Sequence, residues 1–269
     1  MEYEIKPKEK FQIGLSELWH ARELFYFFTW RDIRVKYKQT FLGFSWAILQ
    51  PVMMTLIFTL VLGKNNFSLN VPYPLFVCSG FILWNIFASG ISAAGNSMII
   101  NANMIKKIYF PRLIIPVSTV LVALFDFMMT LPLLIALMIY YKQVPHFSNT
   151  WMLPAAIIIG TAGTLGPGCM LAAFNVKYRD FRYVIPFLVQ FLFFATPVIY
   201  PQNYFSHRWI QEILALNPMS GPITLFRGFL LGRQVDPLLC SISCSSAVLF
   251  LIAGIVVFRK TESYFADLA

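Results

Sequence analysis

Acidic charge is scarce in this sequence and nearly missing from its apolar runs. Twelve Asp and Glu stand against 21 Lys and Arg in 269 residues, and only 12% of the chain is charged. With 58% hydrophobic residues and a mean hydropathy of +0.67, the chain carries more apolar surface than a soluble domain of its length can bury. A soluble fold is excluded, and an integral membrane protein is expected. The three histidines, His20, His146 and His207, share no element, and no Ser/His/Asp or His/Glu cluster supports a hydrolase or metalloenzyme. The four cysteines, Cys78, Cys169, Cys240 and Cys244, lack metal-knuckle spacing and read as small core residues. No G-x-x-x-x-G-K-[ST] phosphate loop occurs, so energy for uphill transport would come from another chain. The opening MEYEIKPKEK lacks the apolar stretch of a signal peptide, so the N-terminus is expected to stay where it is made.

What is present is a series of long apolar runs. Six are long enough to cross a bilayer: about 41–62, 75–96, 113–140, 151–174, 184–200 and 238–258. The fifth is the shortest, bracketed by Pro186 and Pro197. Between it and the last, WIQEILAL and ITLFRGFLLG, separated by NPMSGP, are apolar but too short to span, and read as two re-entrant helices covered by protein. Residues 1–40 carry eight Lys or Arg, the loops 101–112 and 175–183 three each, and the tail two, leaving five for the alternate loops. By the positive-inside bias both termini are cytoplasmic and the loop with the short helices is external. The net charge of +9 then needs no nucleic acid. It reflects this bias, aided by anionic lipid. The expected architecture is an all-α membrane protein: a cytoplasmic 1–40 segment, a six-span domain over 41–258 and a cytoplasmic tail at 259–269.

Two features of the spans carry chemistry. In 15–37, Leu15, Leu18, Trp19, Phe25, Tyr26, Trp30, Ile33 and Tyr37 fall within a sector of about 140°, while Arg31, Arg34 and Lys38 face away and Arg22 and Lys36 interrupt the sector. This is an amphipathic helix along the cytoplasmic membrane surface, or simply an anchor. In the second span Asn85, Ser89, Ser92 and Asn96 share a sector of about 60°, with Phe81 at its edge. The first span adds Ser45, Thr55 and Thr59 on one face, flanked by Phe41 and Phe44. Such stripes mark either hydrogen-bonded helix seams or a pathway. Gly160, Thr164, Gly168 and Ala172 recur every fourth residue and read as close helix packing. Asp126 is a functional candidate by position. With no His, Lys or Arg partner expected inside the membrane, it makes a thin proton relay and reads as a buried hydrogen-bonded group.

The run RDIRVKYKQTFLGFSWAILQP at 31–51 resembles the N-terminal signature of the membrane subunit of ABC-2 class bacterial polysaccharide exporters, those serving O-antigen, capsule and teichoic acid. KKIYFPR at 106–112, NVKYRDFRY at 175–183, ATPVIYP at 195–201 and LNPM at 216–219 follow in the same order. The resemblance, closest to the O-antigen type, implies a permease homodimer in the bacterial inner membrane, two cytoplasmic ATPase subunits that hold the ATP and Mg, and a lipid-linked glycan as substrate. This chain would bind no cofactor and would not be an enzyme. Ile105, Lys106, Lys107, Ile108 and Tyr109, ended by Pro111, would dock on the ATPase, and Tyr178, Arg179 and Asp180 would form a smaller contact. Trp30, Arg31, Asp32, Arg34, Lys36, Tyr37 and Lys38 would lie at the headgroups where the substrate enters. Tyr200, Asn217 and Pro218 would cap the exit. Aromatic faces and uncharged polar stripes suit a sliding sugar polymer, which needs many weak contacts. The alternatives are an ion- or proton-coupled secondary transporter or flippase using Asp126, and a membrane glycosyl- or acyltransferase, for which no catalytic cluster is found.

Overall fold

A computed structural model describes residues 21–38, 45–63, 69, 71–108, 110–178 and 180–262. The described residues form ten α-helices and a short 3-10 turn, without a strand. They are α1 (Arg22–Lys38), α2 (Ser45–Leu62), α3 (Tyr73–Ile100), α4 (Ala102–Lys107), α5 (Ile114–Tyr140), α6 (Met152–Lys177), α7 (Phe181–Ala195), α8 (Arg208–Ala215), α9 (Ser220–Leu231) and α10 (Pro237–Thr261). Five of them, α2, α3, α5, α6 and α10, are long and apolar enough to cross a membrane. The fifth expected span, 184–200, is instead a 15-residue apolar helix, α7, followed by turns from 196 to 200. Thr196 leaves helical geometry one residue before Pro197, as the residue before a proline tends to do.

Local signals set several boundaries. Asp236 caps α10, its carboxylate accepting from the backbone N–H groups of Leu238 (3.0 Å) and Leu239 (3.3 Å), with Pro237 in the first turn. α9 stops at Gly232, whose φ of 65° is the left-handed conformation that a side chain disfavours.

α3 is the axis of the bundle. In its most apolar stretch 78% of residues are buried, against 11% in α2 and 22% in α10, which turn most of their apolar surface outward. It packs against α2, α5, α6, α7 and α9. The main core lies around its first half, where Phe76, Trp84 and Phe87 meet Phe127 of α5 and Phe226 of α9. A second core closes the other end, joining Phe28 of α1, Met98, Ile105 of α4, Phe110, Ile114 and Phe258 of α10.

The small-residue row of α6 works as spacing predicts. A Cβ at Gly90 of α3 would meet the Thr164 methyl at 2.5 Å, and one at Gly168 would meet the Ala94 Cβ at 3.0 Å. The row therefore seats α6 on α3. A second small face of α6 meets α10, where a Cβ at Gly254 would overlap the Gly166 carbonyl. Gly254→Leu is therefore expected to cost about 1–3 kcal/mol by overpacking, read as a lowered unfolding temperature in detergent. Leucine at the exposed Ile252 should leave that temperature unchanged.

Candidate functional site

Side chains that can do more than pack gather in three places. The first is the α4 end of the bundle. α1 lies lengthwise on α5, from Phe28, whose ring is 5.5 Å from that of Phe110, to Tyr37 beside Asp126. Its buried residues are Phe28, Ile33 and Tyr37. Tyr26 and Trp30, expected on the same face, are exposed and stacked on each other at 6.4 Å. Arg34 covers the Trp30 ring at 5.0 Å, and Arg34 and Lys38 point outward as expected. Arg31 turns inward, bonding Asp32 (2.8 Å) and the Asn101 side chain at the head of α4 (2.9 Å). Leu15, Leu18 and Trp19 lie outside the described residues.

Asp126 is the buried hydrogen-bonded group expected, but the expectation that it lacks a basic partner is corrected. It is 4% exposed and has a basic partner: Lys36 Nζ and the Tyr37 hydroxyl both donate to its carboxylate. The partners come from α1 and not from another span, so a search confined to spans could not find them. Asp126 stands twelve residues into α5, about 18 Å along its axis at 1.5 Å per residue, so α1 is anchored well along the bundle as well as at its rim. A buried carboxylate needs such compensation. The Lys36 side chain keeps 46% exposure, enough for its stem to bridge a polar boundary and the apolar interior.

α4 presents Lys106, Lys107 and Ile108 outward and anchors through Ile105. Tyr178 and Asp180, at the α6–α7 turn, are exposed on the same end. Tyr109 and Arg179 lie outside the described residues. The Arg112 guanidinium donates to the Glu262 carbonyl, so the head of α5 and the end of α10 are tied beside α4.

The second place is the polar stripe of α3. Of its residues from Phe81 to Met98, only Asn85, Ala88, Ser89, Ser92, Ala93 and Asn96 escape full burial. Among the described residues, the one face of this stretch that the other helices leave uncovered is thus the polar one. Ser89 donates to the Asn85 carbonyl (2.6 Å) and Asn96 to the Ser92 carbonyl (2.8 Å). Asn175 of α6 reaches the Asn96 side chain at 3.1 Å. Phe81 is packed in the core, edge-on to Phe193 at 5.9 Å, and does not border an opening here. Nor do the first-span residues join the stripe: Ser45 is exposed at the start of α2, and Thr55 and Thr59 line a groove of about 250 Å³ with Leu133 and Leu137 of α5. Phe41 and Phe44 lie outside the described residues. α7, which packs on α3, carries an exposed aromatic row, Tyr183, Phe187, Phe191 and Phe194. This row was not among the expected site residues, although its i, i+4, i+8, i+11 spacing is legible in the sequence.

The third place is the opposite end, where α8 and α9 fold back on the bundle. Asn217 organises their junction: its amide donates to the Thr196 hydroxyl (2.6 Å), its side-chain oxygen accepts from Met219 N–H (3.0 Å), and its carbonyl accepts from Ser243 of α10 (2.8 Å). Pro218 packs toward Gly163 of α6, and the Tyr200 hydroxyl donates to the Phe194 carbonyl at 2.9 Å. Sequence analysis passed over Arg227 of α9, which is 3% exposed. Its guanidinium donates to the carbonyls of Pro197 (2.5 Å), Val198 (2.5 Å) and Phe76 (2.9 Å) and lies 3.6 Å from the centre of the Phe76 ring. The signal was an arginine inside an apolar segment.

Residues 23–231 match the family described as ABC-2 type transporter. The chain is 26% identical to an O-antigen export system permease protein of Klebsiella pneumoniae over 97% of this chain and 98% of that protein. It is 29% identical to the protein of the same name from Myxococcus xanthus, over 92% and 96%. A polysialic acid transport protein of Escherichia coli is 22% identical, over 86% and 91%.

The Asp126 contacts predict a non-additive mutant series. Lys36→Met and Asp126→Asn should each lower thermal stability, and the double variant should lose less than the sum, with a coupling of about 1–3 kcal/mol. Additive losses in a double-mutant cycle would mean that the pair contributes nothing specific.

Proposed function

The chain belongs to the ABC-2 type transporter family, and on that premise we propose that it is the permease subunit of an ATP-driven exporter of a lipid-linked polysaccharide of the O-antigen type. The observation that carries the reading is the near full-length likeness to O-antigen export permeases. The polysialic acid transport protein lies further off in identity. In this reading α2, α3, α5, α6, α7 and α10 are the six crossings of a bacterial inner membrane. α8 and α9 re-enter from the outer side, and both termini lie in the cytoplasm. The α4 end then faces the cytoplasm. That agrees with its share of basic residues.

Energy would come from a separate ATPase subunit carrying ATP and Mg. α4, with Lys106 and Lys107 outward and Ile105 locked into the core, has the form of a docking lever: motion imposed on it passes to Met98 of α3, Phe110 and Phe28 of α1 through one packed cluster. Tyr178 and Asp180 would complete the contact. Reversing both charges with Lys106→Glu/Lys107→Glu should uncouple ATP hydrolysis from export or weaken assembly, as read by copurification of the ATPase and its turnover. Unchanged export and copurification would remove α4 from the mechanism.

The stripe of α3 supports a paired permease. Amides and hydroxyls left uncovered on an apolar helix are costly against lipid, so a second copy or an aqueous path should face them. The aromatic row of α7 would give a sugar polymer shallow stacking surfaces nearby, each contact worth about 1 kcal/mol or less. The ion-coupled alternative loses ground with Asp126 held by Lys36 and Tyr37, an arrangement suited to clamping α1. Ser89→Trp should stop export of the lipid-linked polymer while dimer and ATPase assembly persist, whereas Ser89→Ala should change little. Export that survives the tryptophan would place the polymer path elsewhere.

A further inference from the structure

A cavity of about 750 Å³ opens at the α8–α9 end, and its wall includes Arg227, Arg233, Gln202 and Asp236. The two guanidiniums lie 3.6 and 5.6 Å from the centre of the Phe76 ring, so two positive charges converge on one apolar surface. Among the described residues neither has a carboxylate within salt-bridge distance. Asp236, the acid of the wall, is already committed: it accepts from both terminal nitrogens of Arg208 (2.6 and 3.2 Å) and caps α10. The Arg208 guanidinium holds its carboxyl below the usual carboxylate range.

Two donors on the lining residues, Arg227 Nε and Gln202 Nε2, are buried just behind the wall and make no hydrogen bond among the described residues. A buried donor left unpaired is costly, and an unpaired buried charge more so. Carbonyl dipoles satisfy the terminal nitrogens of Arg227 but leave its charge in place.

We propose that this cavity is a binding site for a phosphate group, with Arg233 and Arg227 supplying the charge and Gln202 a neutral donor. Phosphate fits better than carboxylate because two uncompensated charges and several N–H donors call for more than two acceptor oxygens, and arginine's fork matches phosphate bidentately. The site does not depend on the transported molecule and would hold whether or not the export reading stands. The phosphate can be a lipid headgroup diester or a free anion from solution.

The test uses the full chain in dodecyl maltoside, a detergent without phosphate. One arm measures binding of radiolabelled inorganic phosphate; the other adds dioleoylphosphatidylglycerol to the detergent solution and counts retained lipid by native mass spectrometry. Arg227 holds three backbone carbonyls together in the core, so the variant is Arg233→Gln at a half-buried position, with Gln202→Leu as a second and Lys142→Gln, which lies outside the cavity wall, as the control for charge alone. Wild type should bind at least one probe, Arg233→Gln should weaken that binding about tenfold or more, Gln202→Leu should weaken it less, and Lys142→Gln should leave it unchanged. Binding of inorganic phosphate assigns a soluble source, and retention of the phosphatidylglycerol alone assigns a lipid. The proposal is overturned if wild type binds neither probe, if Arg233→Gln binds as wild type does, or if Lys142→Gln weakens binding equally.

Discussion

Inside a bilayer there is no water to complete a hydrogen bond, and every polar group must find its partner within protein. This chain meets that constraint mostly by bringing partners from segments outside its long apolar helices. Asp126 is answered by Lys36 and Tyr37 of the N-terminal helix. Arg227 is answered by carbonyls at 76, 197 and 198, two of which become free acceptors because α7 ends before them. The short length of α7 and the tolerance of a buried arginine are thus one fact seen twice: the unwound turn after α7 supplies acceptors that a continuing helix would have consumed.

The same constraint explains which parts were legible in the sequence. Five of the six long runs, the small-residue spacing and the polar stripe of the second span are features of a single helix each, and these appeared in the structure where the sequence put them. Gly168 meets Ala94, and Thr164 meets Gly90, as a four-residue row requires. What could not be read were pairings between elements far apart in the chain. Lys36 and Asp126 are 90 positions apart, and nothing local in either segment names the other. The sector drawn for the N-terminal helix grouped Trp30 with Ile33 and Tyr37, yet it could not tell a face that packs on protein from one turned outward, since both favour apolar and aromatic residues. The grouping of Thr55 and Thr59 with the α3 stripe failed for a related reason. Polar spacing identifies a face, not the rotation of its helix about the bundle.

The unmet polar groups then become the informative ones. On α3, helices cover every face except that of Asn85, Ser89, Ser92 and Asn96. Their local bonds run to carbonyls one turn back, which shields part of their polarity without removing it. At the far end, Arg227 Nε and Gln202 Nε2 lie buried without a hydrogen bond among the described residues, on two residues that line one cavity. These two vacancies differ in kind. The stripe is long, uncharged and shallow, suited to something that must move along it; the cavity concentrates positive charge in a small volume, suited to something that stays.

That contrast bears on how the two ends of the molecule could communicate. α3 touches both: Met98 lies in the cluster with α4 and α1, and Phe76 lies under both arginines. It is also the most buried of the candidate spans, gripped by α5 and α6. Close-packed contacts such as Gly90 on Thr164 resist sliding, because a small shift produces overlap before it produces a new fit. A displacement of α4 would therefore move α3 together with α6 more easily than it would move α3 within its socket. The uncovered stripe travels with that unit. Its position relative to whatever faces it is the quantity that such a motion can change.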